Sequence, residues 1–108
     1  MAEESSGCGG DALAPSERAR HAALTEQLRS AVKWVQELPL GYAFRFPDDP
    51  EISPRLVEWV VLERRRCPSI DFEILLSEKG EPVILRLTGH EGVKEFVAGQ
   101  LSPERAAP

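Results

Sequence analysis

The sequence predicts an α+β fold in which helices pack on one face of a three-stranded, largely antiparallel sheet. Three stretches repeat apolar residues at helical spacing, and three others alternate apolar with polar residues. Prolines and glycines separate these stretches, which gives the order α-β-α-β-β-α. The connection between the first two strands is long enough for a crossover, so the pattern leaves the strand order open.

The first helix is predicted over residues 15–37. Pro15 suits a first helical turn, and Glu17 is favourable near the positive end of the helix dipole. Pro39 and the glycine that follows end the helical pattern. The apolar stripe of this helix consists of Leu24, Leu28, Ala31, Val32, Val35 and Leu38.

A strand is predicted at residues 42–46, where three aromatic side chains alternate with smaller or charged ones. The second helix is expected to have Ser53 as its N-cap and Pro54 at its first position. It ends at Cys67, because a residue that precedes proline disfavours helical geometry. Its predicted core face is Leu56, Val57, Val60 and Val61, with Trp59 and Leu62 widening the apolar surface.

A β-hairpin is predicted over residues 70–88, with its turn at Glu78-Lys79-Gly80. The large apolar residues of the two strands must share one face of the hairpin. Glu73 should therefore lie opposite or diagonal to Arg86 on the other face.

The last helix begins near Thr88, because Thr88 and Glu91 have the spacing of a capping box. The chain then divides into an N-terminal tail (1–14), a single domain (15–101) and a C-terminal tail (102–108). The N-terminal tail is rich in glycine and serine, so we expect it to be mobile. The apolar face of the last helix is Val93, Phe96, Val97 and Leu101.

Composition excludes several classes of protein. A chain of 108 residues is one domain at most, and its net charge of −5 argues against a general nucleic-acid binder. No apolar run approaches the ~20 residues of a membrane span, and the acidic N-terminus is not a secretory signal. The chain has two cysteines, one of them in the N-terminal tail, which argues against a disulfide framework and fits a cytoplasmic protein. We expect no cofactor.

Four segments together resemble a family of small, uncharacterised bacterial proteins. They are GYAFRFP at 41–47, LERRRCP at 62–68, Phe72-Glu73, and LRLTGHEGVKEF at 85–96. The resemblance covers about residues 13–101 and implies no particular activity.

This chain departs from the pattern of that family at two positions. Members often carry two adjacent cysteines before the proline, whereas here Arg66 precedes the single Cys67. His90 stands where the pattern often has proline. The resemblance therefore gives no support to a paired-thiol site or to a role for this histidine.

Cys67 is the residue whose chemistry stands out. Nearby arginines favour a reactive thiolate, whereas the negative end of the helix dipole disfavours it. Glu63 and Arg66 are close enough along the chain to contact Cys67, but no second cysteine stands at C-x-x-C spacing. A buried structural cysteine is the main interpretation, and a reactive thiol that uses Glu63 and Arg66 is the alternative.

The other titratable residues predict no metal site. His21 and His90 belong to no spaced ligand set, and we expect both to be exposed to solvent. The arginine run at 64–66 suits a solvated helix end, where cations favour the helix dipole, better than a nucleic-acid patch.

The polar face of the sheet is expected to carry Arg45, Glu73 and Arg86. These residues form either cross-strand pairs that face water or a surface for a partner, since a three-stranded sheet has two edges that invite pairing. An enzyme that used these three residues would need a concave pocket there.

We therefore predict a small bacterial binding or interaction module. The sequence leaves open whether it forms a homodimer, and the lack of a catalytic set favours a protein that is not an enzyme without deciding the question. No membrane partner is expected, and a nucleic-acid partner is disfavoured. The alternative is a thiol-dependent accessory protein that binds a soft metal or an electrophile through Cys67.

Overall fold

The computed structural model describes residues 12–89, and these form two helices and one four-stranded antiparallel sheet. The predicted α+β class with an antiparallel sheet is confirmed, but the sheet has four strands rather than three. The predicted last helix, including His90, lies outside the described residues. The elements are α1 (Pro15–Ala31), β1 (Trp34–Leu38), β2 (Gly41–Phe46), α2 (Ile52–Arg66), β3 (Asp71–Leu75) and β4 (Val83–Thr88).

The additional strand is β1, which the sequence pattern assigned to the end of the first helix. The α1 helix ends at Ala31, and Val32 adopts an extended backbone with φ −61° and ψ 127°. Val35 fits the helical stripe and also fits an alternating strand, so spacing alone does not decide between them. Valine and tryptophan are enriched in β-strands, and residues 34–38 form a strand because they pair with β2.

The strand order is β1-β2-β4-β3, so that two successive α-β-β units join through their inner strands. Phe44 of β2 lies opposite Leu85 of β4, and Leu85 lies opposite Ile74 of β3. Phe44 and Leu85 are completely buried. This row of residues therefore defines the inner face of the sheet, against which both helices pack.

The α2 helix differs from its prediction in where it starts and in which face it buries. It begins at Ile52 rather than after Ser53, because the carbonyl of Asp49 accepts hydrogen bonds from the amides of both residues. Val57 and Val61 were expected in the core, but they are 47% and 54% exposed. The buried side of α2 is formed by Leu56, Trp59, Val60, Leu62 and Glu63.

The start of the described chain is tied to the two helices. Leu13, which the sequence placed in the N-terminal tail, packs in the core and is 2% exposed.

The two helices are joined at the surface by an ion pair. Arg20 of α1 forms two hydrogen bonds to the carboxylate of Glu58 of α2, with both N···O distances at 2.8 Å. Neither described helix is long and apolar enough to cross a membrane.

Candidate functional site

An open groove lies where α2 leaves the edge of the sheet uncovered. Phe72 and Ile74 of β3 point to the inner face, yet both are only partly buried, unlike Phe44 and Leu85 on the central strands. The groove has a volume of about 570 Å³. It is lined by Val60 and Arg64 of α2, by Pro68 and Ile70 of the connection, and by Asp71, Phe72 and Ile74 of β3.

The strand beside this groove has one unpaired edge within residues 12–89. There, β3 pairs with β4 alone. In an antiparallel sheet, alternate residues of an edge strand direct their backbone N–H and C=O groups away from the neighbouring strand. These groups form a template for a further strand.

Exposed apolar side chains occur on α2 and at the end of β3, two of the elements that line the groove. On α2, residues 57, 60, 61 and 64 have the i, i+3, i+4, i+7 spacing of one helical face, and three of them are valine. At the end of β3, Leu75 and Leu76 are 52% and 62% exposed. Val57, Val61 and Leu76 are therefore candidates for contact with a partner, whereas Leu75 lies on the outer face of the sheet with Glu73.

The three consecutive arginines of α2 have three different environments. Arg65 donates to both carboxylate oxygens of Glu17, at 2.8 and 3.1 Å, and this hydrogen bonding raises the pKa of Arg65 and lowers the pKa of Glu17. Arg66 donates to Glu63 at 2.9 Å. Arg64 is exposed, lines the groove, and makes no hydrogen bond or ion pair with any residue of the described chain. The groove therefore carries one cation that is available to a partner.

The structure brings Cys67, Glu63 and Arg66 together, as the sequence suggested, but it does so inside the core. Cys67 is completely buried, and its Sγ lies 3.5 Å from Oε2 of Glu63. Cys67 is disulfide-bonded, so the sequence-based argument against a disulfide is wrong. The other cysteine of the chain, Cys8, lies outside the described residues. This environment offers no accessible thiol and therefore adds no support to the reactive-thiol prediction.

His21, which was expected in solvent, is buried instead. Its side chain is only 11% exposed, and Nε2 lies 2.6 Å from Oε1 of the buried Glu63. The imidazole stacks on Trp59, with the ring centroids 5.8 Å apart. Trp59 in turn donates to the hydroxyl of Thr25 at 2.9 Å. This polar cluster joins α1 to α2, and its burial indicates a structural role.

The outer face of the sheet assembles part of the predicted polar surface. Glu73 lies opposite Arg86, as expected, and their charged groups are 3.4 Å apart. Arg45 does not join this pair. Its guanidinium instead stacks on the ring of Trp34, 4.6 Å from the centroid, and it lies opposite Ile84 of β4. None of the three predicted residues lines the groove, which opens on the other side of β3.

Neither the site geometry nor the comparisons with known proteins assigns a chemistry to this chain. Among residues 12–89, no group of three or more histidine, cysteine, aspartate or glutamate residues is placed to hold a metal ion. No family model, curated sequence or solved structure matched the chain. The resemblance to a bacterial family therefore stays a prediction.

Proposed function

We propose that this protein is a non-enzymatic interaction module whose binding site is the unpaired edge of β3 together with the adjoining groove. The observation that supports it is the position of the groove. It lies directly beside a strand edge that no described residue covers. An extended polypeptide segment is the ligand that can use both features at once.

Such a segment would add a fifth strand to the sheet. Its backbone would satisfy the outward N–H and C=O groups of β3, which gives affinity without sequence preference. Alternate side chains of the added strand would point to the inner face and enter the groove. There they would contact the apolar parts of Val60, Phe72 and Ile74.

The charge of Arg64 at the groove favours bound segments that carry an acidic side chain. Arg64 can pair with a carboxylate of the bound segment, because none of the described residues neutralises it. A charge-assisted hydrogen bond of this kind is stronger than a neutral one. We therefore expect bound segments to combine alternating apolar residues with an acidic side chain near Arg64.

Selection from a displayed library of random linear peptides tests this proposal. The selected peptides should bind the wild-type protein, and Ile74→Ala and Arg64→Glu, both at residues that line the groove, should each weaken binding by about tenfold, equivalent to about 1.4 kcal/mol. Leu40→Lys is a matched control, because Leu40 is 50% exposed on the β1–β2 turn and does not line the groove. Failure to select any peptide, or equal binding by all three variants, would contradict the proposal.

The thiol-dependent alternative stays a prediction that rests on the sequence alone. Alkylation of the reduced, native protein followed by peptide mapping tests it. Rapid labelling of Cys67 would support a reactive thiol, and labelling only after unfolding would remove that function.

A further inference from the structure

We infer that the segment that occupies the β3 edge belongs to a second copy of this chain. The two β3 strands pair antiparallel about a two-fold axis at Ile74 and join two four-stranded sheets into one of eight strands. This inference rests on the proposed function, since it names the partner of the same edge and groove.

Charge selects this register among those that the strand allows. A two-fold axis perpendicular to the sheet keeps the inner faces of both copies on the same side. Such an axis lies midway between one residue and the same residue of the second copy, and we call it an axis at that residue. An axis at Asp71 or at Glu73 would place two identical carboxylates side by side. An axis at Phe72 would place Asp71 opposite Glu73 of the second copy. Like charges in directly opposite positions are destabilising.

An axis at Ile74 avoids every such contact. Ile74 then lies opposite Ile74 of the second copy, and Phe72 lies opposite Leu76, so that apolar residues meet on the inner face. On the outer face Glu73 lies opposite Leu75. The next possible axis, at Leu75, would place Phe72 opposite the charged Glu78. In the Ile74 register Glu78 lies opposite Ile70, which precedes β3 and is already buried within its own copy. Among these five registers, Ile74 alone places both inner-face residues of β3, Phe72 and Ile74, opposite apolar residues without opposing like charges.

The same arrangement covers the exposed apolar surface at the groove. Leu76, which is 62% exposed just beyond β3, gains a cross-strand neighbour in Phe72 of the second copy. Both α2 helices lie on the inner side of the joined sheet, with Val60 and Arg64 lining the groove beside β3. The side chains of the second copy thus enter the groove that α2 leaves open.

Sedimentation equilibrium of the full chain over a range of concentrations tests the dimer. We expect a reversible monomer–dimer equilibrium, and a non-reducing gel checks that the dimer is not covalent. A strict monomer at millimolar concentration would overturn this inference. The proposed function would survive that result if the selected peptides still bind the edge, so the two failures are distinguishable.

Charge substitutions at exposed positions test the register. Leu75→Glu would place a carboxylate opposite Glu73 of the second copy twice in each dimer, whereas Leu75→Lys would place a cation there. Both variants lose the same leucine, so the Kd for dimerisation of Leu75→Glu should be at least tenfold higher than that of Leu75→Lys. Leu40→Glu should dimerise like the wild type.

Charge reversal provides the decisive rescue. The double variant Glu73→Lys/Leu75→Glu restores opposite charges in the Ile74 register and should return the Kd to within about threefold of the value for Leu75→Lys. With the axis at Glu73, the same double variant would only exchange two opposed carboxylates for two opposed lysines, so the Kd would not recover. Either that result or equal dimerisation of Leu75→Glu and Leu75→Lys would overturn the register. The far-ultraviolet circular dichroism of each variant should match the wild type, because residues 73 and 75 are exposed.

Discussion

The side chain of Glu63 is only 1% exposed, and its carboxylate contacts the imidazole of His21 and the guanidinium of Arg66. His21 lies 2.6 Å away and belongs to the other helix, while Arg66 lies 2.9 Å away on the next turn. A charge removed from water needs such partners, because the loss of hydration costs several kcal/mol. The cluster therefore fixes how α1 sits on α2 more strictly than apolar contacts alone would.

Replacement of this carboxylate tests its role. Glu63→Gln should destabilise the protein by about 3 kcal/mol, because it leaves Arg66 and the imidazole without a charged acceptor inside the core. Urea unfolding would show a lower midpoint at an unchanged slope.

Glu26→Gln is the matched control for that substitution. Glu26 pairs with Arg29 at 3.2 Å on the surface, and its side chain is 71% exposed. Its replacement should change stability by less than about 0.5 kcal/mol. Equal effects of the two substitutions would show that the buried cluster does not stabilise the fold.

At the scale of the elements, the close approach of β2 to β4 imposes a condition on Gly41. A Cβ atom at this position would lie 1.9 Å from the carbonyl oxygen of Leu87 and 2.8 Å from Cα of Thr88. Both contacts are with backbone, so they cannot be relieved by a change of rotamer. Only glycine therefore allows β2 to begin beside β4 in the observed register.

Gly41→Ala should therefore destabilise the protein by about 3 kcal/mol, at the upper end for overpacking. Gly80→Ala is a contrasting control, because no atom lies within 4 Å of its added Cβ and the cost comes only from its φ of +94°. That cost should be about 1 kcal/mol. Thermal unfolding of both variants gives the comparison, and a larger effect at Gly80 would contradict the clash at Gly41.

The sequence predicted an element correctly where the spacing of its apolar residues fitted only one kind of secondary structure. The faces of the β3–β4 residues were predictable, because a slip by one residue would place Arg86 among the phenylalanines. The pattern left Glu73 either opposite or diagonal to Arg86, and the structure has them opposite. The β1 strand was not, because Val35 and Leu38 have helical spacing and the burial of β1 does not alternate. The buried face of α2 was also ambiguous, since its apolar residues nearly surround the helix and only tertiary packing leaves Val61 outside.

Across the whole molecule, two surface ion pairs connect α1 to α2 and make stability depend on pH. Hydrogen bonding to Arg65 lowers the pKa of Glu17, and hydrogen bonding to Arg20 lowers the pKa of Glu58. A carboxyl whose pKa is lower in the folded state stabilises that state above its unfolded pKa. This stabilisation is lost as the pH falls through the folded-state pKa.

We therefore expect the double variant Glu17→Gln/Glu58→Gln to have a melting temperature that falls less steeply than that of the wild type below about pH 4.3, the ordinary pKa of glutamate. Differential scanning calorimetry between pH 7 and pH 3 measures the two curves. Glu81→Gln should follow the wild-type curve, because its exposed side chain makes no ion pair within residues 12–89. Parallel curves for wild type and double variant would refute the contribution of these pairs.

The buried polar cluster between α1 and α2 could have been recognised in the sequence from helical spacing. His21, Leu24, Thr25 and Leu28 follow the i, i+3, i+4, i+7 pattern, and so do Leu56, Trp59, Val60 and Glu63. One basic and one acidic residue thus share faces with buried apolar residues. The groove had no comparable signal, because it depends on how far α2 extends over the sheet edge.

The position of β4 has a consequence for the order in which the protein can be made. It is the last described strand along the chain, yet it lies between β2 and β3, which do not pair with each other. A nascent chain that has not reached Val83 can form the β1–β2 hairpin and both helices but has no strand to connect β3 to them. Such distant pairing is slow relative to local contacts. We therefore expect the four-stranded sheet to assemble late in synthesis, once β4 can pair with both β2 and β3.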